Sequence, residues 1–462
     1  MKTDYLVVGA GAVGMAFTDT LLTETNANII IVDRFAKPGG HWNNAYPYVT
    51  LHQPSAFYGV ASKELSKGRR DEIGLNKGLA DLATGQDVMA YFDDVMRHTF
   101  LPTGRVKYFP MCNYTGEGSF TNKLSGETHK VDYETLVDCT YLNTNIPLTH
   151  EPNFSVDEGV NFIPLNHLPN LPAPPEGFVI IGGGKTGIDA ILWLLEMGVD
   201  PDKISWVLSR DAWLIDRENT QNHDDFFFST MSTQANQFEA IAQSTSIEDM
   251  FDKLEACGYF LRLDTDVRPS MFHGATISKA ELTQLRRVKN IIRKGRVSHI
   301  GTDKISLVQG DVATTPGHVH VDCSASALLD VTPKPIFEEG KITPQTVRSY
   351  QPVFSASMIA WIEAHHKDDL AKKNALSGVV PLPDKDTDFI RFTAAFMMNQ
   401  YNWGQDPAIR AFMRGNRLDG FSDLVANIGT NAEKKTVMKK LRDNSFPAMG
   451  KLQGYLAELD SG

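Results

Sequence analysis

Residues Tyr5-Leu6-Val7-Val8-Gly9-Ala10-Gly11-Ala12-Val13-Gly14 decide the fold. Four apolar residues make a run short enough for a buried parallel strand, and Met15 to Thr23 continues with helical character. In the spacing GxGxxG, Gly9 permits the tight turn, Gly11 lets backbone approach a pyrophosphate, and Gly14 allows close packing of helix on strand. The phosphates then belong at a helix N-terminus beside Gly11 and Ala12, where free N–H groups and the dipole favour negative charge. A second strand, residues 29–32, ends at Asp33, nineteen residues past Gly14, followed by Arg34. An acid there accepts hydrogen bonds from the adenosine ribose hydroxyls. Strand, turn, helix and acid together make a dinucleotide site.

The pattern recurs. Phe178-Val179-Ile180-Ile181 leads into Gly182-Gly183-Gly184-Lys185-Thr186-Gly187, and residues 188–197 make a plausible helix. Its partner strand, residues 204–208, ends in Ser209-Arg210 instead of an acid. Arginine there suits a 2′-phosphate, which a carboxylate would repel, so the second site reads as NADPH with Ser209 and Arg210 as discriminators. The plainer alternative for Arg210 is a solvated charge at a strand end. Lys185-Thr186 invites a P-loop reading that fails, because a Walker A loop needs glycine where Val179 stands.

Composition narrows the rest. A chain of 462 residues is too long for one compact domain. With 42% hydrophobic and 22% charged residues it is an ordinary globular protein. Lys plus Arg number 45 against 56 for Asp plus Glu, a formal charge of −11 that argues against a nucleic-acid partner. Cys112, Cys139, Cys257 and Cys323 lie far apart without ligand spacing, which excludes a zinc ribbon or disulfide framework and suggests a reducing compartment. No metal cluster is expected. The longest apolar stretch, 178–195, is broken by Lys185 and Asp189, so neither a membrane span nor a membrane partner is expected. The expected location is cytoplasmic, and the sequence leaves a homodimer open.

Two dinucleotide folds in one polypeptide, the first with an acid and the second with arginine, resemble the two-dinucleotide-binding-domain flavoproteins. Gly39-Gly40-His41-Trp42 looks like the GGxW element of flavin-containing monooxygenases. The segment 46–58, YPYVTLHQPSAFY, is similar in position to the one in which those enzymes place an asparagine beside the flavin; His52 occupies that place, with Gln53 next to it. Phe162 and His167 keep part of the family's FxGxxxH fingerprint, one residue short and without its glycine. GGGKTGID (182–189) and RDAWLIDR (210–217) also resemble the family, whereas the region beyond about residue 220 matches it poorly.

The resemblance implies an α/β fold of two Rossmann-like three-layer nucleotide-binding domains, for FAD and NADPH, the second inserted into the first. The FAD domain would comprise residues 1–172 and 330–462; the NADPH domain would comprise 173–329, with a helical insertion at about 218–290. Cofactor contacts would come from Gly9, Gly11, Ala12, Gly14, Asp33, Arg34, Gly40, His41, Trp42, Cys112 and Thr140 on the flavin side. Gly182, Gly184, Lys185, Thr186, Gly187, Ser209 and Arg210 would serve NADPH. Cys112 enters because in that family the end of the strand 106–112 touches the adenine. Asp-Cys-Thr at 138–140 and Asp-Cys-Ser at 322–324 occupy matching places in the two units.

The implied activity is an NADPH-dependent oxidoreductase, a monooxygenase that uses molecular oxygen through a flavin C4a-hydroperoxide to oxidise a small organic substrate. His52 or Gln53 would then donate a hydrogen bond near the flavin; a structural role for His52 is the alternative. A flavin-dependent oxidase or dehydrogenase and a non-enzymatic nucleotide-responsive flavoprotein stay open. A disulfide reductase is disfavoured for want of a spaced cysteine pair.

Local patterns complete the reading. Asp87 is an N-cap candidate for a helix over 87–100, and Ser278 with Glu281 forms a capping box opening a helix over 278–292. Strands are expected at 106–112, 119–124 and 130–139, and a second meander over 296–312. Phe226-Phe227-Phe228 suits core packing or a substrate passage, and Asp224-Asp225 suits the surface.

Overall fold

The computed structural model describes residues 1–142, 144, 146–325 and 331–461, with Asp423 by its backbone only. The expected boundary at 329/330 lies outside these residues.

Lys2–Val8 runs parallel to Ile29–Val32 on one side and to Asp132–Asp138 on the other, with Val106–Phe109 beyond Ile29–Val32. Tyr5, Leu6, Val7 and Val8 are all buried, as a parallel strand covered on both faces requires. The hairpin Phe337–Glu338/Lys341–Ile342 completes this six-stranded sheet by pairing beside Asp132–Asp138. The second sheet repeats the plan. Gly177–Ile181 lies between Ile204–Val207 and His318–Asp322, flanked by Asn290–Ile292 and Phe162–Pro164. Because the chain rejoins the first sheet at 337–342 after building the second, the second unit is inserted into the first.

Each unit also carries an antiparallel meander. Cys112–Gly116, Ser119–Asn122 and Thr128–Lys130 form one; Val297–Ile300, Lys304–Leu307 and Gly310–Ala313 form the other. The expected strand 106–112 is two strands. It breaks at Pro110-Met111, where Met111 takes a φ of 55°, and only its first half joins the parallel sheet. The expected helix 278–292 is also two elements. Lys279–Leu285 is helical behind its Ser278/Glu281 capping box, and Asn290–Ile292 is the outer strand beside Ile204–Val207. The β-branched pair Ile291-Ile292 suits that strand, and tertiary pairing overrides helical periodicity there. Thr84, not Asp87, caps Gly85–Val95; Asp87 sits at the third helical position and closes a capping box.

Helix Pro352–His365 is buried nearly all round and packs on Ala12–Glu24, joined by the Thr20–Ser357 hydroxyl bond of 2.7 Å. A separate aromatic core around Trp213, Phe251, Phe260, Phe272 and Phe389 ties the helical insertion to the carboxy-terminal helices. Phe227 packs in the core while Phe228 is exposed. Asp224 and Asp225 are exposed side chains that pair with Lys434 and Arg70.

Candidate active site

Both glycine turns are built alike. Gly9 has a φ of 101° and Gly182 a φ of 136°, values that L side chains rarely adopt. A Cβ on Gly14 would overlap the Gly9 carbonyl, and one on Gly187 would overlap the Gly182 carbonyl, so each helix packs directly on its turn. The Gly9 N–H donates to Val32 O at 2.8 Å, and the Gly182 N–H to Val207 O at 3.1 Å. Helices Ala12–Glu24 and Lys185–Glu196 both begin at a glycine with no side-chain cap, leaving first-turn N–H groups for a ligand. The closing strands match as well. Asp138 accepts from Thr140 N and Oγ1, and Asp322 accepts from Ser324 N and Oγ.

A Cβ on Gly11 would meet only the Gly40 backbone, from 3.5 Å. Gly40 faces Gly11 backbone to backbone, and a Cβ on Gly40 would lie 2.9 Å from Gly11 Cα. This is a cradle that any larger residue would fill, which fits a pyrophosphate. Asp33 is buried at the end of its strand, accepting from Ala10 N at 2.5 Å and Phe35 N at 2.7 Å. Burial raises its carboxyl above the ordinary value. Each oxygen keeps a lone pair for a ribose hydroxyl. Arg34 is exposed and lies over the Phe35 ring, and Cys112 is buried against Phe120 and Val131.

His41 stacks on Trp42 at 5.4 Å, and the Trp42 indole N–H donates to the Tyr58 hydroxyl at 2.7 Å. His41 is open to solvent yet surrounded by protein, and desolvation lowers its pKa to about 4.

Loop 46–58 bridges the two units. Tyr46 donates to Asp189 at 2.6 Å, Asp189 pairs with Lys185, and Tyr48 stacks on Trp193 at 4.5 Å. Lys185 at the second turn is therefore already neutralised. The His52 carbonyl accepts from Arg217 Nε at 2.9 Å. Burial and the cations of Lys185 and Arg217 push the His52 imidazole well below its usual pKa, so it is neutral near pH 7. Arg217 is fully buried; it also pairs with Glu281 at 2.9 Å and donates to Asn76 and Thr276. Arg417 donates to the carbonyls of Ala56, Tyr58 and Lys63 and staples the end of the same loop. Nothing in the sequence marked Arg417, because its acceptors are carbonyls more than 350 residues away.

At the second turn Gly184 has open space above it. The Trp206 indole N–H holds the Gly182 carbonyl at 2.8 Å. Ser209 is exposed, and Arg210 is held bidentate by Asp384 at 3.0 and 2.7 Å. Asp384 also meets His273 at 2.9 Å, and these partners hold its carboxyl well below the ordinary range.

A cavity of about 1230 Å³ opens beside Gln53. Gln53, Phe57 and Tyr350 line it together with helices Phe227–Ala242, Asp388–Gln405, Pro407–Gly415 and Ala432–Ser461. Tyr350 adopts a φ of 53°, a strained backbone for a bulky residue at a cavity wall. Thus the structure brings Gln53 to a cavity and His52 to the junction of the two units. Gly9, Gly11, Ala12, Gly14, Gly40 and Thr140 lie at the first turn and Gly182, Gly184, Lys185 and Gly187 at the second, whereas Cys112 packs on the meander. Among the described residues, no group of three or more His, Cys, Asp or Glu is placed to hold a metal, and no helix is long and apolar enough to cross a membrane.

Comparison with known proteins gives two kinds of likeness. The uncharacterized protein Rv2000 of Mycobacterium tuberculosis is 44% identical over 425 residues, covering 92% of this chain and 79% of that protein. The uncharacterized protein Mb2023 of Mycobacterium bovis matches with the same figures. No protein-family model matches the chain. Among solved structures, an oxidized steroid monooxygenase bound to NADP aligns with a TM-score of 0.51 and 12% identity, covering 81% of this chain and 87% of that one. A cyclohexanone monooxygenase from Rhodococcus sp. Phi1 bound to NADP+ aligns at 0.47 and 11%, covering 81% and 85%. At such identities the likeness is one of fold. The chain has the α/β architecture of two Rossmann-like units that the glycine-turn motifs led one to expect.

Proposed function

This chain belongs to the family of the mycobacterial protein Rv2000, and we propose that it is an FAD-dependent NADPH oxidoreductase, a monooxygenase of a small organic substrate. The division we propose is an FAD domain of residues 1–172 with 330–462, and an NADPH domain of 173–329, with Phe162–Pro164 crossing over to the edge of the second sheet. One observation carries the reading: the two glycine turns share backbone geometry, helix packing and an Asp-Cys-Thr/Ser closing strand, and loop 46–58 spans them. Two like turns joined by one loop make sense when electrons pass between two dinucleotides.

When bound, FAD supplies the two-electron relay between NADPH and oxygen. The balance is one NADPH, one proton, one oxygen molecule and substrate giving NADP+, water and oxygenated product. The protein's part is to bind and position. Backbone N–H groups after Gly11 and Gly184 hold diphosphates, and Asp33 accepts from ribose. Arg210 takes a 2′-phosphate once released from Asp384. His41 and Trp42, fixed by Tyr58, wall the flavin side and exclude water. Gln53 offers its amide N–H to the cavity, and neutral His52 offers a ring N–H without bringing charge.

The test is NADPH consumption under labelled oxygen. Substrate-dependent consumption with label in the product supports monooxygenation. Consumption with label only in peroxide makes the protein an oxidase. A protein that stays colourless after addition of FAD defeats the flavin reading.

A further inference from the structure

The large cavity has a lining that is chemically lopsided. Six phenylalanines and six methionines line it, a surface that adapts to flexible apolar chains. Its volume exceeds the ~300–1,000 Å³ usual for small-molecule sites, so it suits something long. The charged lining residues, among the described side chains, are Arg348, Arg410, Arg414, Arg442 and Asp419. Arg348 and Asp419 are buried and neutralise each other. That leaves three cations and no anion on the wall, in a chain whose formal charge is −11.

These three arginines are exposed, on the rim of the cavity, whereas Phe57 at the inner wall is only 3% exposed. Arg410 and Arg414 stand one turn apart on helix Pro407–Gly415 and so share a face. Neither has a carboxylate partner within 4.0 Å among the described side chains; Arg410 donates only to the Gly404 carbonyl, at 2.6 Å. Arg442, on helix Ala432–Ser461, lies 4.0 Å from its neighbour Asp443. Around them Tyr401 and Phe446, 50% and 69% exposed, form an apolar lip. An apolar lip beside the unpaired guanidiniums of Arg410 and Arg414 fits an apolar molecule that carries an anion at one end.

We propose that this cavity binds a long-chain carboxylate, fatty-acid-like in chemistry, with its carboxylate at Arg410, Arg414 and Arg442 and its chain directed inward toward Gln53. The reading of the site as an oxidoreductase underlies one consequence. The group that reacts, a soft nucleophile or a carbonyl, lies on the chain away from the carboxylate, at the Gln53 end.

Binding is measured by titration calorimetry on the full chain without any nucleotide, using dodecanoate and dodecan-1-ol. Dodecanoate is expected to bind about tenfold or more tighter than the alcohol, a difference of the size that charge-assisted pairs give. Arg410→Gln with Arg414→Gln should bring dodecanoate down to the alcohol's affinity and leave the alcohol unchanged. Met449→Trp, which fills the cavity, should weaken both ligands. Equal binding of acid and alcohol, or no binding of either by a folded protein, overturns the proposal. So does a dimer that excludes both ligands until Phe446→Asp separates it. NADPH consumption is assayed separately. Dodecanoate binding by a protein that stays colourless with FAD would leave this site standing and remove the redox reading; a flavin-loaded, NADPH-oxidising protein that binds neither ligand would do the opposite.

Discussion

Arg210 and Asp384, separated by 174 residues in sequence, meet through two hydrogen bonds of 3.0 and 2.7 Å at the rim of the second glycine turn. The residue expected to recognise a 2′-phosphate is thus already engaged by a carboxylate that competes for the same fork. Removing the competitor should expose the preference. Asp384→Asn is expected to tighten NADPH several-fold with little effect on NADH, and Arg210→Ala to weaken NADPH more than NADH. Dissociation constants for both nucleotides check this, and equal effects on the two would refute the assignment of Arg210. The folded pKa of Asp384 is depressed, so its pairing is intact above the ordinary carboxylate value of about 3.9 and is lost only as pH falls below it. Asp384 is 59% exposed, and solvent screening keeps its contribution to stability small.

The first turn should tolerate no side chain. Gly11→Val places branched carbon between Gly11 and Gly40, whose backbones face each other, and should abolish flavin retention on purification while leaving the melting temperature nearly unchanged. Gly14→Ala should instead destabilise the fold, because its Cβ overlaps the Gly9 carbonyl. Visible absorbance and thermal melts separate the two effects. A Gly11→Val protein that purifies yellow would refute the cradle.

Arg217 is fully buried, and its fork spans the His52 carbonyl, Asn76 and Glu281. Arg217→Met leaves Glu281 with a buried charge and no cationic partner, its remaining partner being the Ser278 N–H, which costs about 3–5 kcal/mol in comparable pairs. The melting temperature should drop by several degrees. The double variant Arg217→Met/Glu281→Leu should recover most of the loss. A single variant as stable as the parent would show that the loop holding His52 has other anchors.

His41 should stay neutral well into the acid range. Its pKa is lowered to about 4 by desolvation, whereas the unfolded chain titrates near 6.5. Between those two values the unfolded state binds more protons, so stability rises with pH across the window from about 4 to 6.5. Proton NMR of the His41 ring, assigned with His41→Gln, gives the titration midpoint. A midpoint near 6.5 would show that the surrounding protein does not desolvate the ring.

Much of this protein was legible in its linear order. The turns at Gly9–Gly14 and Gly182–Gly187, Asp33, and the Asp-Cys-Thr/Ser repeats were read from spacing alone, since a tight turn and close packing constrain nearby residues. The capping box at Ser278/Glu281 was legible for the same reason. The strand Asn290–Ile292 was not, because its identity depends on a neighbour more than eighty residues away. Arg417 and Asp384 were silent too. Arg417 binds main-chain carbonyls, which leave no trace in side-chain pattern, and Asp384 meets Arg210 only after the carboxy-terminal region folds back.

The local grammar of the chain, namely short apolar strands, glycines at fixed intervals and a terminal acid or arginine, determined by itself that two nucleotide-type units would form. Such features act over a few residues and need no partner to be recognised. Tertiary structure decided what those units share: the loop 46–58 wedged between them, the carboxylate lodged on Arg210, and the wide apolar chamber with its cationic rim. These depend on distant segments arriving at one place, and burial of apolar surface, which drives that arrival, is non-directional and carries no address in the order of residues.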